Sequence, residues 1–254
     1  MFITAAILAS ALTFQGNFEQ GGLVKIDAPQ NLKMQLDGED VPGFGNKYYI
    51  GFGRDAAPNS TLVVTYPDGS REQYNLPIQQ REYEIQHINN VDQGKVTPNK
   101  NNQKKIEQEA LKIGTARMTA DYACPGDLNF IRPSDGLVTG WFGSQRVYNG
   151  IPKAPHSGVD FKGDIGSPAH APEAGRIVYA ENMFLTGNTM VIDHGCGITS
   201  TFLHLNKFLK KPGDIVQQGE VVAEIGKTGL ATGPHLHWNL NWGSTRLDAL
   251  LVVK

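Results

Sequence analysis

The sequence predicts a mainly β protein, with two strand-rich blocks joined by a helical connector. Three observations carry this. The 254 residues include 29 Gly and 14 Pro, a composition that favours short strands and many turns over long helices. Short apolar runs bounded by Gly, Pro, Asn and Asp recur from Gly21 to Gln86 and again from Leu137 onward. Between those blocks one segment carries apolar residues at helical spacing.

The first fourteen residues, Met1 to Phe14, form an apolar run too short to span a bilayer. Small residues at Ala9 and Ala11 offer a cleavage pattern, so residues 1–16 are expected to be a signal peptide, although the usual basic start is missing. A protein exported this way works in the periplasm or cell envelope. Two cysteines, Cys124 and Cys196, suit an oxidising compartment without requiring it, and their separation leaves open whether they pair. The absence of a CxxC spacing keeps both out of a thiolate zinc site.

Residues 17–88 read as a small β-sandwich-like module. Leu23–Ile26, Leu32–Leu36, Tyr48–Phe52, Leu62–Tyr66 and Tyr83–Ile85 supply strands, and Asp37-Gly38, Pro42-Gly43 and Pro67-Asp68-Gly69 supply turns. With one histidine, His87, and no cluster of acids or nucleophiles, the module is expected to serve structure, docking or wall binding. Residues 89–136 are a linker. In it Ile106, Ala110, Leu111 and Ile113 predict an amphipathic helix between Asn102 and Met118, with lysines facing solvent.

The second block, 137–254, begins with Leu137–Gly143 and a turn-rich stretch to Pro155. Pro152, Pro155 and Gly158 argue against a helix around His156, whereas Val159 and Phe161 flanking Asp160 suit a strand. In Ile198–Leu205 the alternation puts His204 on the side of Phe202 and Ser200. In Thr232-Gly233-Pro234-His235-Leu236-His237-Trp238 it puts His235 and His237 on one strand face.

Net charge is −2 with no long block of like charge, which argues against nucleic acid as a partner. Six of the seven histidines fall in the second block: His156, His170, His194, His204, His235 and His237. A catalytic zinc needs three nitrogen or oxygen ligands and one open position, which two imidazoles and a carboxylate satisfy. No His-Glu-x-x-His helix is present, so histidines left over from ligation are the candidate acid–base groups. His170 and His194 read as structural.

His156-x-x-x-Asp160, Asp193-His194-Gly195, Phe202-Leu203-His204-Leu205 and Thr232–His237 together resemble the lysostaphin-like (LytM-type) zinc metallopeptidases, in matching order and over roughly Val138 to Leu251. The resemblance implies a C-terminal antiparallel β-sheet metallopeptidase domain with the metal in a groove. It implies zinc as cofactor, His156, Asp160 and His237 as its ligands, and His204 with His235 as the catalytic pair. Arg146, just before the metal motif, is a candidate for binding a substrate carboxylate. The family's substrates are peptide bonds of bacterial cell-wall peptidoglycan. That makes stem peptides the expected partners and a cross-link between them the preferred bond, with a glycine bridge the other option.

Two rival readings compete with this one. Some family members have lost ligands and act as non-hydrolytic modules that activate another wall hydrolase; here all five positions are filled. The stretch from Lys211 to Ile225 resembles the hammerhead of biotinyl and lipoyl carriers, yet it offers no lysine at a hairpin tip. Autoinhibition, with the N-terminal module or the linker covering the groove, is a further expectation.

Overall fold

The computed structural model describes residues 12–253. The protein is mainly β, with a helix between the N-terminal strands and a C-terminal β-sheet domain. Eight strands build the N-terminal module: β1 (Thr13–Gly16), β2 (Leu23–Asp27), β3 (Lys33–Leu36), β4 (Glu39–Val41), β5 (Gly43–Phe44), β6 (Lys47–Gly51), β7 (Asn59–Thr65) and β8 (Arg71–Pro77). They form two four-stranded sheets, ordered β1-β2-β6-β5 and β4-β3-β7-β8. Period-two alternation explains the packing: Val24, Ile26, Met34, Ile50, Leu62 and Val64 point inward into one buried cluster. Most of the expected leader, residues 1–11, lies outside the described residues. Thr13–Gly16 pairs antiparallel with β2.

β9 (Ile85–Ile88) follows the two sheets. It pairs in parallel with β11 (Gln145–Tyr148) rather than with the N-terminal sheets, because Gln145 N donates to Glu84 O and sets that register. The connector then holds α1 (Gln93–Val96) and α2 (Lys100–Met118). Asn99 caps α2, its side chain accepting from Asn102 N. Ile113 is the buried apolar residue of α2, with Ile106 and Ala116 partly buried on the same side, and Leu111 is 70% exposed. Ile113 packs with Tyr179, Met183 and Val191, so α2 lies against the sheet described next.

The C-terminal domain adds β10 (Val138–Gly140), β12 (Ile151–Pro152), β13 (Val159–Lys162), β14 (Pro168–His170), β15 (Gly175–Met183), β16 (Gly187–Asp193) and β17 (Ile198–Leu205). It ends with β18 (Lys207–Phe208), β19 (Ile215–Val216), β20 (Val221–Glu224), β21 (His235–Trp242) and β22 (Thr245–Leu247). The main sheet runs β10-β13-β21-β17-β16-β15-β19, with β22 also paired to β21. One face is apolar and fully buried, including Val159, Phe161, Met190, Ile192, Phe202, Leu236, Trp238 and Leu240. The alternate residues form the opposite face, where the histidines lie.

Cys124 and Cys196 form a disulfide that ties the connector to the β16–β17 hairpin. Asp193 reinforces the tie by accepting from Tyr122 N at 2.7 Å and Gly195 N at 2.9 Å. The chain's end docks on the N-terminal module: Arg81 Nη1 donates to Asp248 Oδ2 at 2.9 Å and Asp248 N donates to Gly21 O at 2.8 Å.

Candidate metal centre and active site

β13 and β21 run antiparallel with Asp160 opposite His237, so the two side chains emerge side by side on the polar face. The loop before β13 folds His156 onto the same spot; its Nδ1 is held by Trp141 O at 2.9 Å, which turns Nε2 toward the pair. His156 Nε2 lies 3.0 Å from Asp160 Oδ1 and 3.0 Å from His237 Nδ1, and His237 Nδ1 lies 2.7 Å from Asp160 Oδ1. Three donor atoms from three buried residues thus fall within 4.8 Å of one another.

This donor set fits zinc. It is two imidazoles and one carboxylate, the composition of a three-ligand catalytic site, with the donor atoms drawn onto one spot. Burial alone would raise the Asp160 carboxyl, but the hydrogen bonds of His156 and His237 outweigh it and hold that group well below the usual carboxylate range. Burial pushes the His237 ring down, which keeps it neutral and ligand-competent.

Groups around the three donors fix their orientation. The far nitrogen of His237, Nε2, lies 3.0 Å from Asn239 Oδ1, and Ser157 Oγ donates to the same oxygen at 2.9 Å. Arg146 Nη2 donates to Asp160 Oδ2 at 2.8 Å, leaving Oδ1 for the histidine side. Gly140 permits this pairing, since a Cβ there would collide with Asp160 Oδ2. Arg146 lines the groove, and its guanidinium is engaged with Asp160.

His204 and His235 meet at the same place, with ring centroids 4.8 Å apart, and His204 is 6.3 Å from His237. Each ring uses Nδ1 on a backbone carbonyl, His204 on Thr228 O at 2.8 Å and His235 on Gly233 O at 2.9 Å, so Nε2 is the free nitrogen of both. His235 Nε2 sits 3.8 Å from Asp160 Oδ1. Burial, followed by the neighbouring His235 and His237, pushes His204 down to about 3, so its ring is neutral.

The position of His204 departs from simple alternation. Phe202 and Ser200 point into the core, and a regular strand would send His204 there with them. The β16–β17 register instead shifts between Asn188 and Met190, and His204 has a φ of 63°, so a bulge turns its ring to the polar face. His194 and His170 lie elsewhere. His194 is fully buried behind the core face, bonded to Ala174 O at 2.9 Å and Ser200 Oγ at 2.8 Å, and Trp238 Nε1 donates to that same hydroxyl at 2.9 Å. His170 Nδ1 pairs with Gly219 O at 3.0 Å.

His156, Asp160, His204, His235 and His237 therefore share one groove of about 650 Å³, which His87 also lines. Sequence reasoning missed Asn239 and Ser157. The alternation that selected His235 and His237 continues to Asn239 and Asn241, and polar residues at those positions of an otherwise apolar strand were the available signal.

Comparisons with known proteins agree with this geometry. Residues 154–249 match Peptidase family M23. Over 96 residues the chain is 36% identical to peptidoglycan DD-endopeptidase ShyB of Vibrio cholerae, covering 38% of this chain and 22% of that protein. Over 87 residues it is 42% identical to peptidoglycan DD-endopeptidase ShyA of the same organism, covering 34% and 20%. The match spans about a fifth of the length of these curated relatives. A candidate M23 peptidase from Pseudomonas aeruginosa shares the fold along nearly the whole chain, with a TM-score of 0.72 and 26% identity over 93% of this chain and 95% of that one. Motif order, metal-site geometry and these matches agree that residues 154–249 of this chain form a Peptidase family M23 domain of the LytM type.

Proposed function

We propose that this chain is a zinc-dependent endopeptidase that hydrolyses peptide bonds in bacterial cell-wall peptidoglycan. The observation that carries the reading is the convergence of His156, Asp160 and His237 within 4.8 Å, beside two further histidines whose free nitrogens open on the same groove. Those three residues hold the metal. Bound there, zinc supplies Lewis-acid activation of the attacking water and of the scissile carbonyl.

The chain's own groups supply the proton traffic. His204, neutral and anchored through Nδ1, presents a bare Nε2 that accepts a proton; His235, anchored the same way, shares the donor and acceptor duties. Between them they take the water's proton and return one to the departing amine. Arg146 keeps Asp160 oriented. The DD-endopeptidase names of two relatives support a cross-link between stem peptides as the bond cut. The apolar start of the chain and the Cys124–Cys196 disulfide support work in the periplasm or cell envelope.

The connector supports a latent form. Gln86, His87, Ile88 and Val91 line the groove, Lys95 Nζ donates to Gly229 O, and Asn149 Nδ2 donates to Val91 O. In this reading the connector narrows access to large substrates.

The deciding experiment measures zinc content and wall digestion for the wild type, His237→Ala and His204→Ala. The expectation is that His237→Ala loses metal and activity, whereas His204→Ala keeps metal and loses activity. Stoichiometric zinc with no digestion by the intact chain or by a form with a cleaved connector would favour the non-hydrolytic activator instead.

A further inference from the structure

South of the metal site along β21 the polar face holds two arginines without acids. Arg117, near the end of α2, donates through Nε and Nη2 to Thr201 Oγ1 at 3.3 and 3.0 Å. Arg246, on β22, donates through Nη1 to Ser157 Oγ at 3.3 Å. Thr201 is the cross-strand partner of Asn239, and Ser157 is bonded to Asn239, so both guanidiniums gather around one residue. Among the described residues neither forms an ion pair.

The groups beside them are unusual in the same way. Asn241 is fully buried with both amide atoms unpartnered, and the buried Thr199 hydroxyl is unpartnered as well. In register Thr199 faces Asn241, which faces Arg246. Asp193, opposite Thr199, accepts from Tyr122 N and Gly195 N and pairs with neither arginine.

Half-buried guanidinium groups without a carboxylate are costly, and buried amides and hydroxyls without partners add to that cost. Burial first, and the charge of Arg246 second, push Arg117 down to about 9, so it still carries its charge at neutral pH. One oxyanion would answer all of these groups at once, because a planar guanidinium fork matches its oxygens. Arg246 and Ser157 line a cleft of about 660 Å³ between the N-terminal module and the C-terminal domain, with Phe52 and Trp242 as apolar walls, so the cluster is approached from its Arg246 side.

We propose that Arg117 and Arg246, with Asn241 and Thr199 behind them, form a binding site for an oxyanion, a carboxylate or a phosphate group. The two arginines are not part of the His156, Asp160 and His237 trio, although His156 lines the same cleft, and the proposal does not depend on the peptidase reading. Its occupant joins the connector helix to the sheet by bridging a residue of α2 to one of β22.

The test is thermal unfolding of the full chain in sodium phosphate or sodium acetate, each against chloride at equal ionic strength and neutral pH. It is run on zinc-loaded and on chelator-treated protein, because an anion held at the metal site would act only with metal present. The expected result is a rise in Tm of about 3 °C with one or both anions, in both metal states. Arg117→Gln and Arg246→Gln should each abolish it. A response to phosphate alone or acetate alone identifies the group bound. No rise in the wild type, or an equal rise in the variants, overturns the site. If the variants do not fold, titration of the wild type followed by NMR of arginine Nε–H groups decides: selective shifts at Arg117 and Arg246 support the site, and their absence overturns it.

Discussion

Asn239 Oδ1 lies 3.0 Å from His237 Nε2, so the next groove-facing residue on the same strand sets which nitrogen of His237 points at Asp160. Donation from Nε2 to this oxygen fixes the tautomer with a lone pair on Nδ1, the atom in the three-donor cluster. Asn239→Ala should weaken zinc binding by about 10–100-fold without unfolding the domain. Competition against a chelator of known affinity measures this, and unchanged affinity would show that Asn239 leaves the ring's orientation alone.

The left-handed backbone at His204 makes a second prediction. A residue with φ of 63° is strained unless it is Gly, so His204→Gly should be more stable than His204→Ala by about 1 kcal/mol. Both variants should lack wall-digesting activity. Urea unfolding of the two proteins side by side separates the cost of the bulge from the loss of the ring.

Stability should also respond to His194. Burial lowers its folded-state pKa from 6.5 to about 4. The unfolded chain therefore takes up the proton first, so stability present above pH 6.5 is lost as pH falls toward 4, by about 3 kcal/mol in total. Asp193 shifts upward through burial and so acts in the opposite sense. The difference between wild type and His194→Gln, followed by urea unfolding across that window, isolates the histidine; a pH-independent difference would refute it.

The disulfide closes a long loop between connector and hairpin, with a sequence separation of 72. Cys124→Ser with Cys196→Ser should lower stability by about 2–4 kcal/mol, read from denaturant unfolding under oxidising conditions. The same protein should release the segment around Cys124 to limited proteolysis first, because the Tyr122 N to Asp193 hydrogen bond is left to hold it at the hairpin.

Lys95 offers a test of latency. Removing its contact with Gly229 O by Lys95→Ala should raise digestion of intact wall several-fold and leave cleavage of a short cross-linked peptide unchanged. Equal effects on both substrates would argue against the connector as a barrier to large ones.

Much of the fold was legible in the chain because strand formation depends on local alternation. The two sandwich sheets, the strand bearing Asp160 between Val159 and Phe161, and the shared face of His235 and His237 follow from a period of two. The helix was legible from spacing, but its burial was not, since Leu111 meets solvent and Ile113 meets the sheet according to how α2 docks. The pairing of β9 with β11 escaped sequence reading because it joins residues sixty positions apart.

By itself, then, the sequence determined the strand content and supplied the five groove residues His156, Asp160, His204, His235 and His237. The tertiary structure decided how they meet. A bulge opposite Thr189 turns His204 from core to groove, and Arg146 comes to rest on Asp160. Cys124 finds Cys196, and two arginines from distant elements gather around Asn239. The physical reason is that alternation is a property of neighbouring residues, whereas a bulge, an ion pair or a disulfide depends on which strands the folded chain brings side by side.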